Sequence, residues 1–330
     1  MSVSPGSVAK TQMAQGSMGG QDVLPSARVH YDFKMIRGSG DSCLDQKEIK
    51  ESLRQWGMED TLALTQVQFC PTFMVHEETA FLRQLLTFAA DSSAKVRSAK
   101  TSVESVQWER LKCTAMSMEF FNCLIDKGIV SKTGNIRGCF PDVFDGVTVS
   151  DKLRELLVNP DSENADAFSA AQQEELLFHV FRALSVGGGV CQPDDSLEPY
   201  TKAAKALYKE LVSVQKSAST GKLEIAACKV YRVTEASTLN NPNDSDARKN
   251  IPEGSISSSE GSIPSGNGEV VGSGGDSGGG GGDGGGGTSS FWKGRCAPSE
   301  SASPHSTCLV VVDLAKKRAS VLRKEFFPFW

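Results

Sequence analysis

The sequence predicts an α+β fold in which mixed helices pack on a mainly antiparallel sheet. Three observations lead there. Residues 172–216 read as two amphipathic helices around a glycine hinge, each with one apolar stripe of helical period. Leu223 to Val233, Cys308 to Asp313 and Ala319 to Phe326 are short β-branched and apolar runs, as strands are. Between the first and second of these runs the composition collapses. Thr234 to Ser306 is largely Gly, Ser, Asn, Asp and Pro, and twelve of the sixteen residues from Gly272 to Gly287 are glycine. Such a segment buries too little apolar area to offset an ordering cost of roughly 1–2 kcal/mol per residue. It is therefore expected to be a disordered insertion. Strands do not alternate regularly with helices, which argues against a doubly wound parallel sheet.

The elements follow in order. Residues 1–27, mostly Ser, Gly, Gln and Met, are expected to be a disordered tail. Arg28 to Lys34 alternates as a strand with Val29, Tyr31 and Phe33 on one face. Ser42 or Asp45 caps a helix whose Ile49, Leu53 and Trp56 align, with Gly57 as its stop. A strand from Leu62 to Phe69 ends before Pro71, and Glu77 to Ala90 has the apolar spacing of a helix. After a polar loop from Asp91 to Thr101 comes a strand from Val106 to Thr114. Ser117 then opens a helix with Phe120, Phe121 and Leu124 inward and Gly128 as its stop. A short capped helix from Ser150 to Val158 cannot pass Pro160. Ser169 opens the helix pair through a capping box with Gln172. Its stripe is Leu176, Leu177, Val180, Phe181 and Leu184, and Gly187 is placed for a left-handed C-cap. The second helix carries Leu197, Tyr200, Ala204, Leu207, Tyr208 and Leu211. The final two runs form a hairpin with a loop of about five residues. The domain is thus expected over residues 28–233, with 234–306 inserted and 307–330 returning to the same domain to complete the sheet.

Composition excludes several function classes. A net charge of −5 and a pI near 5.6 do not suit a general nucleic-acid binder, which needs a basic face to displace counterions. Nine cysteines with no Cys-x-x-Cys pair fit buried free thiols in a reducing compartment better than a disulfide framework. The N-terminus lacks the apolar core of a secretory signal, and no run reaches the roughly 18 apolar residues of a membrane span.

No catalytic, cofactor-binding or metal-binding set emerges, and no cofactor is expected. Gly275-Asp276-Ser277-Gly278-Gly279 satisfies G-x-S-x-G, but it lies inside a glycine tract that cannot hold a nucleophile in place. Gly187-Gly188-Gly189 follows a helix rather than preceding one, so a C-cap and a tight approach to the next helix account for it better than a phosphate loop. His30, His76, His179 and His305 have no ligand spacing, and His179 reads as a helix-edge residue. Asp142, Asp145 and Asp151 lack the rest of a calcium loop, and turn formation at Asp145 and capping at Ser150 explain that stretch. Cys191, His179 and Asp195 would make an enzyme only if folding brought them together. The connection Cys191-Gln192, Asp194-Asp195, Pro199-Tyr200 either stabilises the second helix's N-terminus or presents a loop to a partner. Phe326-Phe327-Pro328-Phe329-Trp330 must fold back or dock elsewhere.

These strings, in this order, resemble the cilia- and flagella-associated protein 300 family. The resemblance rests on Leu53-Arg54-Gln55-Trp56 with Met58, Met116 to Phe121, Gly128-Ile129-Val130, and Ser150-Asp151 with Leu153-Arg154. It continues through Glu174-Glu175, Leu177-Phe178, Phe181, Gly187-Gly188, Cys191-Gln192, Pro199-Tyr200 and Tyr208-Lys209, then Leu211 to Val214 and Val312-Asp313. It spans Val29 to Val233 and Thr307 to Val321. The resemblance implies a non-enzymatic factor for assembly or transport of outer and inner axonemal dynein arms, located in cytoplasm and motile cilium. It implies as partners dynein-arm assembly factors (a PIH-domain co-chaperone among them), axonemal dynein subunits and intraflagellar transport. Two alternatives stand beside it: an enzyme with an unrecognised site, and a microtubule-bound axonemal component using Lys202, Lys205, Lys209 and Lys216.

One prediction tests the insertion directly. Deleting Asn240 to Glu300 should leave the thermal midpoint within a few degrees, because loop-closure entropy grows only logarithmically with length. A chain that no longer folds after this deletion would refute the assignment.

Overall fold

In the computed structural model, residues 29–36, 42–93, 102–217, 219–238 and 303–328 are described. The tail expected to be disordered, nearly all of the insertion, the Gly275–Gly279 string and Phe329-Trp330 lie outside these residues. The strands are β1 (Asp32–Met35), β2 (Leu62–Cys70), β3 (Val103–Leu111), β4 (Gly138–Phe144), β5 (Val147–Asp151), β6 (Val214–Lys216), β7 (Leu223–Ile225), β8 (Cys228–Thr238), β9 (Thr307–Asp313) and β10 (Arg318–Lys324). The helices are α1 (Lys47–Gln55), α2 (Glu78–Ser93), α3 (Asn122–Asp126), α4 (Lys152–Val158), α5 (Ala170–Gln173), α6 (Leu176–Val186) and α7 (Leu197–Leu211).

Six strands form one sheet in the order β1-β2-β10-β9-β8-β3, and every ladder in it is antiparallel. The fold is α+β, as the sequence predicts. The C-terminal hairpin occupies the middle of the sheet. Lys324 pairs with Thr307 on one side and Leu62 on the other, and Arg318 with Asp313 and Gln68. Strand alternation then sends neighbouring residues to opposite cores. Cys308, Val310, Val312, Ala319 and Val321 join the side covered by α2, with Phe81, Leu82, Leu85 and Leu86. Leu309, Val311 and Leu322 join the side built from α1, α3, α4, α6 and α7. A strand buried on both faces needs an unbroken apolar run, which explains Cys308-Leu-Val-Val-Val.

Helix ends obey local rules where the sequence signals them. The Ser169–Gln172 capping box forms as expected. Gly57, at φ +66°, closes α1 with Met58 N–H donating to Leu53 O at 2.7 Å and Gly57 N–H to Arg54 O at 3.0 Å, the paired bonds of a Schellman motif. The same pair of bonds ends α3 at Gly128.

Other boundaries move for tertiary reasons. The opening strand begins at Asp32 rather than Arg28, while Tyr31 packs edge-on to Phe81 at 4.8 Å. The strand expected over Val106–Thr114 runs instead from Val103 to Leu111 and pairs with β8. The helix opened by Ser117 begins as a 3-10 turn over Met118–Phe121. The helix expected from Ser169 onward breaks at Glu174-Glu175. There Lys112 N–H donates to Glu174 O and Leu176 N–H to Lys112 O, both at 2.9 Å, so sheet-like pairing replaces the helical bonds. The buried Glu175 carboxylate seals the break by accepting from Thr114 N–H at 2.9 Å and Ala115 N–H at 3.3 Å. Asp151, not Ser150, caps α4, accepting from Arg154 N–H at 2.8 Å. The run Leu223–Val233 divides into β7 and β8, and β8 continues to Thr238. The β9–β10 loop has four residues, 314–317.

Gly187 does not adopt the expected left-handed cap. Its φ of +69° and ψ of −167° put it in a region that only glycine enters at no cost. The approach is to the end of α1 rather than to the following helix. A Cβ on Gly188 would lie 2.2 Å from Gly57 O, and Gly188 N–H donates to Trp56 O at 2.8 Å. Gly188→Ala should therefore cost about 1–3 kcal/mol, the usual range for forced overpacking. Urea unfolding measures it, and an unchanged midpoint would remove the close approach from the account.

Candidate functional site

The connection between α6 and α7 holds the helical layer together. Trp56, fully buried at the end of α1, stacks on Tyr200 of α7 with ring centroids 4.5 Å apart. Its indole N–H donates to Asp194 Oδ2 at 2.7 Å. The Tyr200 hydroxyl in turn accepts from Asp194 N–H at 3.0 Å. Asp195 O accepts from Ile136 N–H at 2.7 Å, tying in the turn before β4. Asp194 therefore satisfies a buried indole instead of the helix N-terminus; the cap of α7 is Ser196, accepting from Glu198 N–H at 3.3 Å. Sequence reasoning missed this bond because Trp56 and Asp194 are far apart in the chain.

Cys191, His179 and Asp195 do not assemble into a reactive set. Cys191 faces Arg154, which donates from Nη2 to Sγ and from Nε to Ser185 O at 3.1 Å. Burial pushes the Cys191 thiol up, against the opposing pull of Arg154. His179 is buried on α6 rather than at a helix edge, and it lines a separate cleft. Burial, with Arg232 and Arg182 nearby, brings it down to about 3.

That cleft has a volume of about 940 Å³ and lies between α4, α5, α6 and the β3–β8 side of the sheet. Arg182 donates from Nε to Leu157 O at 3.1 Å and forms no ion pair among the described residues. Arg232 is held by Glu109, Nη2 to Oε2 at 3.0 Å. His305, just before β9, is 2% exposed with both ring nitrogens buried, and the Phe144 backbone acts on the ring as a hydrogen-bond partner. Asp145 approaches its Nε2 at 4.0 Å. Burial first, then Arg182 and Lys324, bring His305 down to about 4. Lys324 on β10 is also 2% exposed, and its ammonium nitrogen sits 5.4 Å from the Phe326 ring centroid without a hydrogen-bond partner. Burial and the charge of Arg182 lower it to about 7.

The remaining candidates find plainer roles. Asp145 and Gly146, both at positive φ, form the turn expected at Asp145, and that turn joins β4 and β5 into an Asp-Gly hairpin. His30 and His76 are exposed. Among the described residues, no group of three or more His, Cys, Asp or Glu is arranged to hold a metal, and eight cysteines are free thiols. Lys202, Lys205 and Lys209 are exposed on α7, but Glu48 pairs with Lys202, and Lys216 lies on β6 rather than on the same helix face. At the C-terminus, Phe326 folds back into the core, its ring 5.4 Å from that of His305. No helix among the described residues is long and apolar enough to cross a membrane.

The family model described as "Cilia- and flagella-associated protein 300" matches residues 30–252, two thirds of the chain, a span that includes α1 through α7. The chain belongs to this family. It is 31% identical over 185 residues to a Cilia- and flagella-associated protein 300 from Paramecium tetraurelia, covering 55% of this chain and 73% of the relative. A protein of the same description from Chlamydomonas reinhardtii is 39% identical over 133 residues, covering 40% of this chain and 51% of the relative. No solved structure matches. The protein is thus a member of a cilium- and flagellum-associated family, and neither relative's description names an enzymatic activity.

Lys324 supplies a stability prediction. An unfolded lysine ionises near about 10.4, whereas the folded one does so at about 7. Between those values the unfolded chain holds a proton that the folded chain lacks, so stability should rise as pH increases from 7 toward 10. Below pH 7 the burden is complete. Lys324→Met should raise stability at pH 7 by about 1–4 kcal/mol, as removal of an unpaired buried charge can. It should also flatten the slope of urea midpoints between pH 7 and 9.5. A loss of stability at pH 7 would contradict the buried-amine reading.

Proposed function

We propose that the protein is a non-enzymatic factor in the assembly or transport of outer and inner axonemal dynein arms, acting by protein–protein contact in the cytoplasm and the motile cilium. Membership in a cilium- and flagellum-associated family carries the cellular half of this reading. Cys191 faces Arg154 while His179 lines a cleft that Cys191 does not, which supports the non-enzymatic half. A contact surface is available on the β4–β5 hairpin. Phe140 there is 95% exposed and Val143 is also exposed, and neither contributes to the cores. An aromatic side chain held out on a short ladder suits an interface anchor, since aromatic residues dominate binding energy at protein contacts. The partners in this reading are dynein-arm assembly factors, including a PIH-domain co-chaperone, dynein subunits and intraflagellar transport. A lattice-bound axonemal role is less well served, because the lysines do not form one continuous basic stripe.

Crosslinking mass spectrometry on cytoplasm from regrowing flagella tests the proposal. Dynein subunits or assembly factors should be captured by wild type, and Phe140→Ala should reduce capture at least about tenfold while leaving stability within about 0.5 kcal/mol. Protein that stays on axonemes through high-salt extraction would favour the lattice role. Complete dynein arms in cells lacking the protein would end the proposal.

A further inference from the structure

We propose that Cys113 and Cys228 are a reversible dithiol–disulfide site, oxidised by hydrogen peroxide, whose bond ties the end of the edge strand β3 to the start of β8. This goes beyond the assembly role and does not rest on it.

Strand register brings the two residues together. From Trp108 opposite Val233 to Leu111 opposite Val230, β3 and β8 run antiparallel without a slip. The same register carried on past the ladder sets Cys113 opposite Cys228. Alternation puts both on the face of Leu111 and Val230, and both pack against the core to which those residues belong. Their side chains lie within hydrogen-bond reach of each other, and Tyr208 Oη lies 3.5 Å from Cys113 Sγ. Opposed residues on antiparallel strands have Cα atoms about 4.5–5.5 Å apart, inside the ~4.4–6.8 Å that a disulfide spans. Both are free thiols and neither residue is fully buried.

The two sulfurs are not equivalent. The Cys113 thiol donates to Cys228, which holds the Cys228 thiol below its ordinary value against the effect of burial. Burial instead raises the thiols of Cys123, Cys139 and Cys191. Since the thiolate is the nucleophile, Cys228 is the sulfur that reacts first. It attacks one peroxide oxygen, the O–O bond breaks, and the departing hydroxide takes up the proton that Cys228 released. Cys228 is then a sulfenic acid. The Cys113 sulfur attacks the Cys228 sulfur, the S–OH bond breaks, and the hydroxyl leaves with the Cys113 proton as a second water. Two thiols are oxidised to one disulfide and one peroxide is reduced to water; exchange with an external dithiol reverses the change.

The bond closes at a junction. Lys112 N–H donates to Glu174 O and Thr114 N–H to the Glu175 carboxylate, both at 2.9 Å, so the residues on either side of Cys113 hold the α5–α6 break. Within the sheet β3 has one neighbour, β8. Oxidation therefore adds a covalent tie where the sheet edge meets the helices.

The full chain treated with hydrogen peroxide, quenched with N-ethylmaleimide and peptide-mapped by mass spectrometry tests this, with thermal unfolding alongside. Cys113 and Cys228 should leave the alkylated set together and appear as one linked peptide. The midpoint should rise by about 4 °C or more, because the bond closes a long loop, and dithiothreitol should reverse it. Cys113→Ser, which keeps a hydroxyl donor beside Cys228, should accumulate a dimedone-labelled sulfenic acid on Cys228. Cys228→Ser should leave Cys113 reduced at the same dose. Where either variant fails to fold, the linked peptide and midpoint of the wild type decide. Cys113 and Cys228 still alkylated after treatment, either one linked to another cysteine, a sulfenic acid on Cys113 in Cys228→Ser, or a linked peptide without a higher midpoint would each overturn the proposal.

Discussion

The burial of the β9–β10 hairpin on both faces is the constraint on which the rest depends. Its two strands separate the core under α2 from the core of the remaining helices, and each contributes side chains to both. Without the hairpin, β2 and β8 would expose unpaired ladder edges, and the two halves of the sheet would share no neighbour. The last strands in the chain are therefore the first requirement of the fold. Since the strands that flank the insertion, β8 and β9, are adjacent antiparallel partners, its ends are held side by side whatever its length.

A second level of order rests on that sheet. The glycines at the ends of α1 and α6 let two backbones touch, and the Trp56–Tyr200–Asp194 contacts join α1 to α7 through the intervening loop. Each side chain there satisfies another's buried polar group, so the region reads as a structural clasp. Buried polar atoms that lack a hydrogen bond are spread through the fold, among them Ser185 Oγ, Tyr231 Oη and Lys324 Nζ. Phe140 marks a functional opportunity on the outer surface, where exposure instead of burial is the unusual feature.

Much of the architecture was legible because local chemistry and tertiary demand agreed. The glycine stops at Gly57 and Gly128, the Ser169 capping box and the apolar run of β9 all follow from residues within a few positions of one another. The break at Glu174-Glu175 was not legible, since the competing partner, Lys112, sits some sixty residues upstream and no helical periodicity reports it. The β4–β5 hairpin was legible in Asp145-Gly146 yet masked by weak alternation, its β4 strand being exposed along almost its whole length.

The cleft shows the same boundary most clearly. Arg182, Arg232 and His305 come from a helix, a strand and the residues after the insertion, and no motif spacing links them. By itself the sequence determined the fold class, the apolar stripes, the helix stops and the membership of the family, because these are encoded in periodicity, conformational preference and ordered local strings. Only the tertiary structure decided which polar groups meet, which stay unpaired and which aromatic stands in solvent. Those outcomes depend on distances between segments remote in sequence, and on the desolvation that a folded interior imposes.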